Sequence, residues 1–172
     1  MVIWLVGMSG AGKTAIGREL HRLLKTRAPN TVFVDGDEIR AVFKHDRGDE
    51  AYTVEGRRVN TDRLRELCAW LDRQDLHVVC CTLSVFEDAL RWNRENLSRY
   101  YEVYVSVPID VLRRRDQKNL YAPAFAGETS NVVGVDLPFS PPPNPDYVLD
   151  NSADGLDFEA AAADILWRAE AG

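Results

Sequence analysis

The sequence predicts an α/β domain of three layers, a parallel sheet flanked by helices, and three observations carry that expectation. Short apolar runs alternate with longer charged segments whose apolar residues recur at helical spacing, the pattern of strands joined by crossover helices. The first apolar run, Val2–Val6, opens directly into a glycine-rich stretch, Gly7-Met8-Ser9-Gly10-Ala11-Gly12-Lys13-Thr14. No repeat or low-complexity tract interrupts the 172 residues, a length that suits one domain spanning 1–172 with a real hydrophobic core.

Taken in order, residues 2–6 form the first strand and residues 14–24 a helix, with Ile16, Leu20, Leu23 and Leu24 on one side. Residues 31–34 form a second strand that ends at Asp35-Gly36-Asp37. Residues 55–73 are expected to be helical, with Val59, Leu64, Leu67, Trp70 and Leu71 as the apolar face. His77–Thr82 is a continuous apolar run, hence a central buried strand. Residues 103–107 form another strand, followed by Pro108 and a helix through Arg115. Residues 121–145 are rich in Gly, Pro, Ser and Asn, and so long a loop in a compact domain is expected to be a lid. A short strand at residues 147–149 precedes a C-terminal amphipathic helix over about 155–171, marked by Phe158, Ala162, Ile165, Leu166 and Ala169.

Composition narrows the function classes. A net charge of −6 speaks against a broad nucleic-acid-binding face but leaves room for a local basic pocket. Cys68, Cys80 and Cys81 show neither zinc-ligand spacing nor the density of a disulfide framework, so they read as buried thiols in a reducing compartment. The first residues have no basic start and no apolar run long enough for a signal peptide or a membrane span. The expectation is a cytoplasmic protein with a small-molecule partner, no nucleic-acid or membrane partner, and room for a homodimer.

The chemistry begins at residues 7–14, a full GxxxxGK[ST] match between an expected strand and an expected helix, the setting that makes the match specific. This is a P-loop. Backbone N–H groups from Gly7, Ser9, Gly10, Ala11 and Gly12 would turn toward phosphate oxygens, helped by the positive end of the following helix. Lys13 would bridge the β- and γ-phosphates of ATP, and the Thr14 hydroxyl would ligate Mg2+. Asp35-Gly36-Asp37-Glu38-Ile39-Arg40 lies at the carboxyl end of the next strand, the end that faces the ligand crevice in an open α/β sheet. One carboxylate there would accept the proton of an attacking hydroxyl while the other helps to position magnesium.

GMSGAGKT followed by VDGDEIR resembles the adenylylsulfate kinases, whose signatures are GxSGxGKS/T and DGDNxR. The resemblance continues through Arg57-x-x-Asn60, Leu83-Ser84, Arg115-Asp116-Gln117-Lys118-Asn119-Leu120-Tyr121, Gly134-Val135-Asp136 and Asn144-Pro145-Asp146, as far as Asp150. It implies a P-loop kinase that moves the γ-phosphoryl of ATP to the ribose 3′-hydroxyl of adenylylsulfate, for sulfur assimilation or sulfation. By position, Asp37 would be the base and Asp35 the second magnesium ligand. Arg40, Arg57 and Asn60 would hold the sulfate–phosphate and ribose end, Tyr52 would stack on the base, and Leu83 and Ser84 would line the pocket. Arg115 and Lys118 would border the base and phosphates of ATP, unless the three arginines at 113–115 are a solvated helix end.

The lid departs from that pattern. LYKKARAGEI of the family reads Leu120-Tyr-Ala-Pro-Ala-Phe-Ala-Gly-Glu-Thr129, so Ala122 and Pro123 replace two lysines and Phe125 an arginine. Val132 stands where the family has the aromatic that covers the second face of the base. A second reading therefore keeps the reaction and changes the acceptor, as in relatives that phosphorylate cytidine diphosphoramidate. A third, a nucleotide switch or inactive binding module, is weakened because no guanine-reading NKxD tetrapeptide is present and the acceptor-side residues persist.

Overall fold

The computed structural model describes residues 1–83, 86–116 and 118–171, with Asp49 described in its backbone only. Five parallel strands, β1 (Val2–Val6), β2 (Thr31–Asp35), β3 (His77–Thr82), β4 (Tyr100–Ser106) and β5 (Tyr147–Asp150), form one sheet in the order β2-β3-β1-β4-β5. All five residues of β1 are buried, as expected of a strand with neighbours on both edges and helices over both faces. The centre of the sheet thus falls to β1; β3 is interior too, one place nearer the edge.

Alternation along β1 assigns the two cores. Ile3 and Leu5 face Ile16 and Leu20 of α1 (Lys13–Arg27) and Ile165 and Leu166 of α7 (Phe158–Ala171). Val2, Trp4 and Val6 face Leu64 and Cys68 of α3 (Val54–Asp72) and Leu90 of α4 (Glu87–Asn96). Between these lie α2 (Gly36–Val42), a 3-10 turn at Asp49–Tyr52, α5 (Ile109–Arg115) and the short α6 (Tyr121–Phe125). Among the described residues no helix is long and apolar enough to cross a membrane.

The strands match the expected segments to within a few residues, and the differences lie in the helices. On α3, Val59 and Trp70 are 42% and 54% exposed, whereas Asn60, Thr61, Leu64, Cys68 and Asp72 are buried. Asp72 can take the inner face because it has partners there, accepting from both the backbone N–H and the hydroxyl of Ser98. Helix α4 escaped the periodicity reading because its fully buried residues are only Ala89, Leu90 and Asn93, with Trp92 partly buried beside them. The segment 121–145 is also less open than expected. It begins with α6 and contains a tight turn closed by a bridge between Val133 and Leu137.

Candidate active site

A cavity of about 920 Å3 opens at the carboxyl ends of β1, β2 and β3, within the range of small-ligand sites. Its first wall is the P-loop. Gly10 and Gly12 take left-handed φ values of 76° and 95°, which only glycine adopts without strain. At Gly7 a Cβ would sit 2.6 Å from the Val105 carbonyl oxygen, so the loop can leave β1 only through glycine. Gly7 and Ala11 shape the loop from behind, while Ser9, Gly10, Gly12, Lys13 and Thr14 line the cavity. Two side chains to which the sequence reading gives no role hold the loop in place. Asn151, just past β5, donates its amide to the Ala11 carbonyl at 2.9 Å, and the Tyr121 hydroxyl donates to the Ser9 carbonyl at 2.8 Å.

Lys13 Nζ donates to the Met8 carbonyl at 2.8 Å. Burial pushes its pKa down from 10.5 to about 8, only partly opposed by nearby anionic groups. A phosphate beside this ammonium would restore the charge that burial disfavours. The Thr14 hydroxyl donates to Asp35 Oδ2 at 2.7 Å, which brings the two expected magnesium ligands together. Asp35 also caps α2, its Oδ1 accepting the Asp37 N–H at 2.9 Å. No cluster of three or more His, Cys, Asp or Glu able to cage a metal occurs among the described residues. One hydroxyl and one carboxylate fit Mg2+, which keeps most of its waters and takes the rest of its ligands from phosphate.

Asp37 stands at the first turn of α2, its Oδ2 2.9 Å from Lys118 Nζ. Burial alone would raise the Asp37 pKa, but the hydrogen bond and charge of Lys118, with Lys13 and Arg40, bring it below the ordinary aspartate range. Lys118 therefore stands against the carboxylate expected to act as base, bordering both the cavity and a small recess beside Ser9 and Gly10. Arg115 lies elsewhere. Its guanidinium is committed to the carbonyls of Asn151, Ser152 and Ala153 and to Asp154, and it touches only a small recess behind Ser9 and Gly10. It is not a solvated helix end, and it does not line the main cavity.

The opposite wall gathers Arg40, Tyr52, Arg57 and Asn60. The Arg40 guanidinium carbon lies 5.2 Å and that of Arg57 5.8 Å from the centre of the Tyr52 ring. Arg40 donates to the Ala51 carbonyl, and Arg57 to the carbonyls of Tyr52 and Asn131. Neither has an ion-pair partner among the described side chains, and burial lowers both pKa values, for Arg57 with the like charge of Arg40 added. Asn60 is 4% exposed and its Oδ1 has no hydrogen-bond partner among the described residues. Two desolvated guanidinium groups beside an unsatisfied amide oxygen and a flat ring make a site for an anion carrying a hydroxyl donor and an aromatic base.

The third wall is Thr129, Ser130, Asn131, Val132 and Val133, with Leu83 at the floor. Ser84 lies outside the described residues. Ala122, Pro123 and Phe125, expected to alter the pocket, do not line it: they belong to α6, and Phe125 is 43% exposed with the Arg113 guanidinium 4.4 Å from its ring centre. Of Ala122, Pro123, Phe125 and Val132, only Val132 touches the cavity. Thr82 and Cys81 line it as well, the Cys81 thiol donating to the Lys13 carbonyl at 3.2 Å. Their positions at the end of an apolar strand carried no signal in the sequence.

Comparison with known proteins points one way. The family model described as adenylylsulphate kinase matches residues 1–150. A cytidine diphosphoramidate kinase from Campylobacter jejuni is 38% identical over 88% of this chain and 86% of its own. An adenylyl-sulfate kinase from Halothermothrix orenii is 36% identical over 100% of this chain and 91% of its own. Among solved structures, the Mycobacterium tuberculosis APS kinase CysC in complex with AMPPNP and APS superposes with a TM-score of 0.83, at 27% identity, covering 98% of this chain and 96% of that one.

Proposed function

The chain belongs to the adenylylsulphate kinase family and is a phosphotransferase with a hydroxyl acceptor, and from that premise we propose that it phosphorylates the 3′-hydroxyl of adenylylsulfate with ATP and Mg2+. The products are 3′-phosphoadenylylsulfate and ADP. The observation that carries this reading is the pair Arg40 and Arg57, desolvated and without an ion-pair partner among the described side chains, facing Asp37 across one cavity.

Each residue then has a defined task. The P-loop N–H groups and Lys13 hold the β- and γ-phosphates, and Thr14 and Asp35 hold magnesium, which neutralises charge on the transferring group when bound. Arg40 and Arg57 take the phosphate–sulfate end of the acceptor, Asn60 Oδ1 accepts a ribose hydroxyl, and Tyr52 stacks on the base. Asp37, ionised because its pKa is depressed, withdraws the proton as the hydroxyl oxygen attacks the γ-phosphorus. Lys118, which borders both the cavity and the recess beside Ser9 and Gly10, would pair with a phosphate of ATP. Arg115 braces the loop at 151–154 beside the P-loop, on the donor side, through its bonds to Asn151, Ser152, Ala153 and Asp154. Three free, buried thiols and the need for ATP support a cytoplasmic location.

A second acceptor, cytidine diphosphoramidate, is favoured by one feature of the site, the aliphatic Val132 in the lid wall, which covers less of a base than a ring does. ADP release measured with adenylylsulfate and with cytidine diphosphoramidate, followed by product identification, decides between them. Efficient, 3′-specific transfer to adenylylsulfate is the expected result. Transfer to the cytidine conjugate alone overturns the first reading and leaves the kinase assignment standing.

A further inference from the structure

The lid wall is held by one carboxylate. Asp136 Oδ2 accepts the Asn131 N–H and its Oδ1 the Val132 N–H, each at 2.6 Å. The turn closes on itself, because the Val132 carbonyl accepts from the N–H groups of Val135, Asp136 and Leu137 at 3.0 to 3.2 Å. Inside it Asn131 takes φ 64°, a left-handed value uncommon outside glycine. That unusual peptide is the point of contact with the acceptor wall, since the Asn131 carbonyl accepts Arg57 Nη2 at 2.7 Å. Its neighbour Val132 is 3% exposed and lines the cavity. On the other side Gly134, at φ 92°, lies so close to the P-loop that a Cβ there would stand 2.9 Å from Met8 Sδ.

We propose that Asp136 is a positioning residue for the acceptor site, acting through the Asn131–Val132 segment that it holds against Arg57 and the cavity. The proposal rests on the assignment of the Arg57 wall to the acceptor. Asp136 itself does not line the cavity, so beyond the attraction of its charge for Arg57 its influence runs through the two N–H groups it receives. Each of those bonds is charge-assisted, and together they fix the left-handed residue that aims a carbonyl at a guanidinium. Without them Asn131 relaxes toward negative φ, the carbonyl swings off Arg57, and the guanidinium loses one of the contacts that orient it toward an anion.

The test uses the full-length protein and Asp136→Ala and Asp136→Asn variants. Hydrogen exchange of the Asn131 and Val132 amides in the ligand-free protein reads the hold on the lid whatever the acceptor is. Exchange at those two amides should rise at least tenfold while core amides of β1 and β3 keep their protection. In steady-state assays the KM for the acceptor should rise about tenfold, with kcat and the KM for ATP changed less than twofold. Arg57→Ala should cost less in the Asp136→Ala background than in the wild type, because both act through one peptide. Asn131→Gly should recover part of the lost affinity, since glycine takes the left-handed conformation unaided. Unchanged amide exchange, or equal changes in both Michaelis constants, overturns the positioning role. Failure of the wild type to use adenylylsulfate counts against the proposed acceptor and leaves the exchange experiment to decide the role of Asp136.

Discussion

The P-loop wall and the acceptor wall with its adjoining lid border one cavity and are built in opposite ways. The P-loop wall is a single stretch, residues 7–14, whose backbone forms the cradle and sets the Lys13 and Thr14 side chains beside it, while distant side chains such as Asn151 and Tyr121 pin it. The acceptor and lid wall is assembled from side chains on α2, the 3-10 turn, α3 and the turn at 131–137, joined by single contacts such as Arg57 to Asn131. A backbone cradle tolerates little change, because each glycine is required by φ or by close approach. A wall of separate side chains can exchange one reader for another without disturbing the fold. The difference teaches where this enzyme is free to vary: in what it phosphorylates, and hardly in how.

The sharpest way to break that comparison is at Asp37, which stands between the two walls. Asp37→Asn should reduce turnover by about 10²–10⁴-fold with ATP affinity nearly unchanged, because a base acts in the transition state. If ATP affinity falls in step, Asp37 belongs to the donor wall. Its depressed pKa carries a second expectation with a definite sign. The base works ionised, so the acid limb of kcat/KM lies below the ordinary aspartate range, and Lys118→Ala should move that limb to higher pH.

Lys13→Ala should lower turnover by about 10²–10³-fold in a folded protein, the scale of removing one preorganised electrostatic stabiliser. Thermal melts of variant and wild type would establish the fold, and near-normal turnover would undo the donor assignment. On the other wall, Arg57→Ala should raise the acceptor KM by roughly tenfold to a hundredfold, the equivalent of losing a charged hydrogen bond of about 1.5–3 kcal/mol. The KM for ATP should stay within twofold, and equal effects on both substrates would erase the distinction between the walls.

The smallest effects are the most informative about specificity. Val132→Phe should raise the kcat/KM ratio of adenylylsulfate over the cytidine conjugate by about tenfold, since a second stacked face contributes roughly 1–3 kcal/mol per base. Ala122→Lys should change that ratio less than twofold, because the residue lies on α6, away from the cavity. A large effect of Ala122→Lys with none from Val132→Phe would mean that the lid reads the acceptor by charge and not by stacking.

The site divides in the same way in how far it could be read from residues alone. Lys13, Thr14, Asp35 and Asp37 are legible because their spacing along the chain is their spacing in space: a turn, a helix start and a strand end fix them locally. Tyr52, Arg57 and Asn60 became candidates through likeness to a family, for periodicity alone presents α3 as a helix with Val59 and Trp70 inward, the reverse of their exposure. Sequence composition could not tell that Ala122 and Phe125 face away while Val132 faces in, since an irregular segment has no period to phase it.

By itself, then, the sequence determined the parallel α/β layering, the P-loop at the end of the first strand and the two aspartates after the second. Those follow from hydrophobic period and from steric rules that act over a few residues. Tertiary structure alone decided that Arg57 meets Asn131, that Lys118 stands on Asp37, that Arg115 turns to the loop at 151–154 and that Asp136 holds the lid. Each of the first three joins residues 36 to 81 positions apart, and the fourth depends on a turn whose place the sheet and the P-loop fix. Such contacts are set by how packed layers bring distant segments together, a geometry that no local pattern encodes.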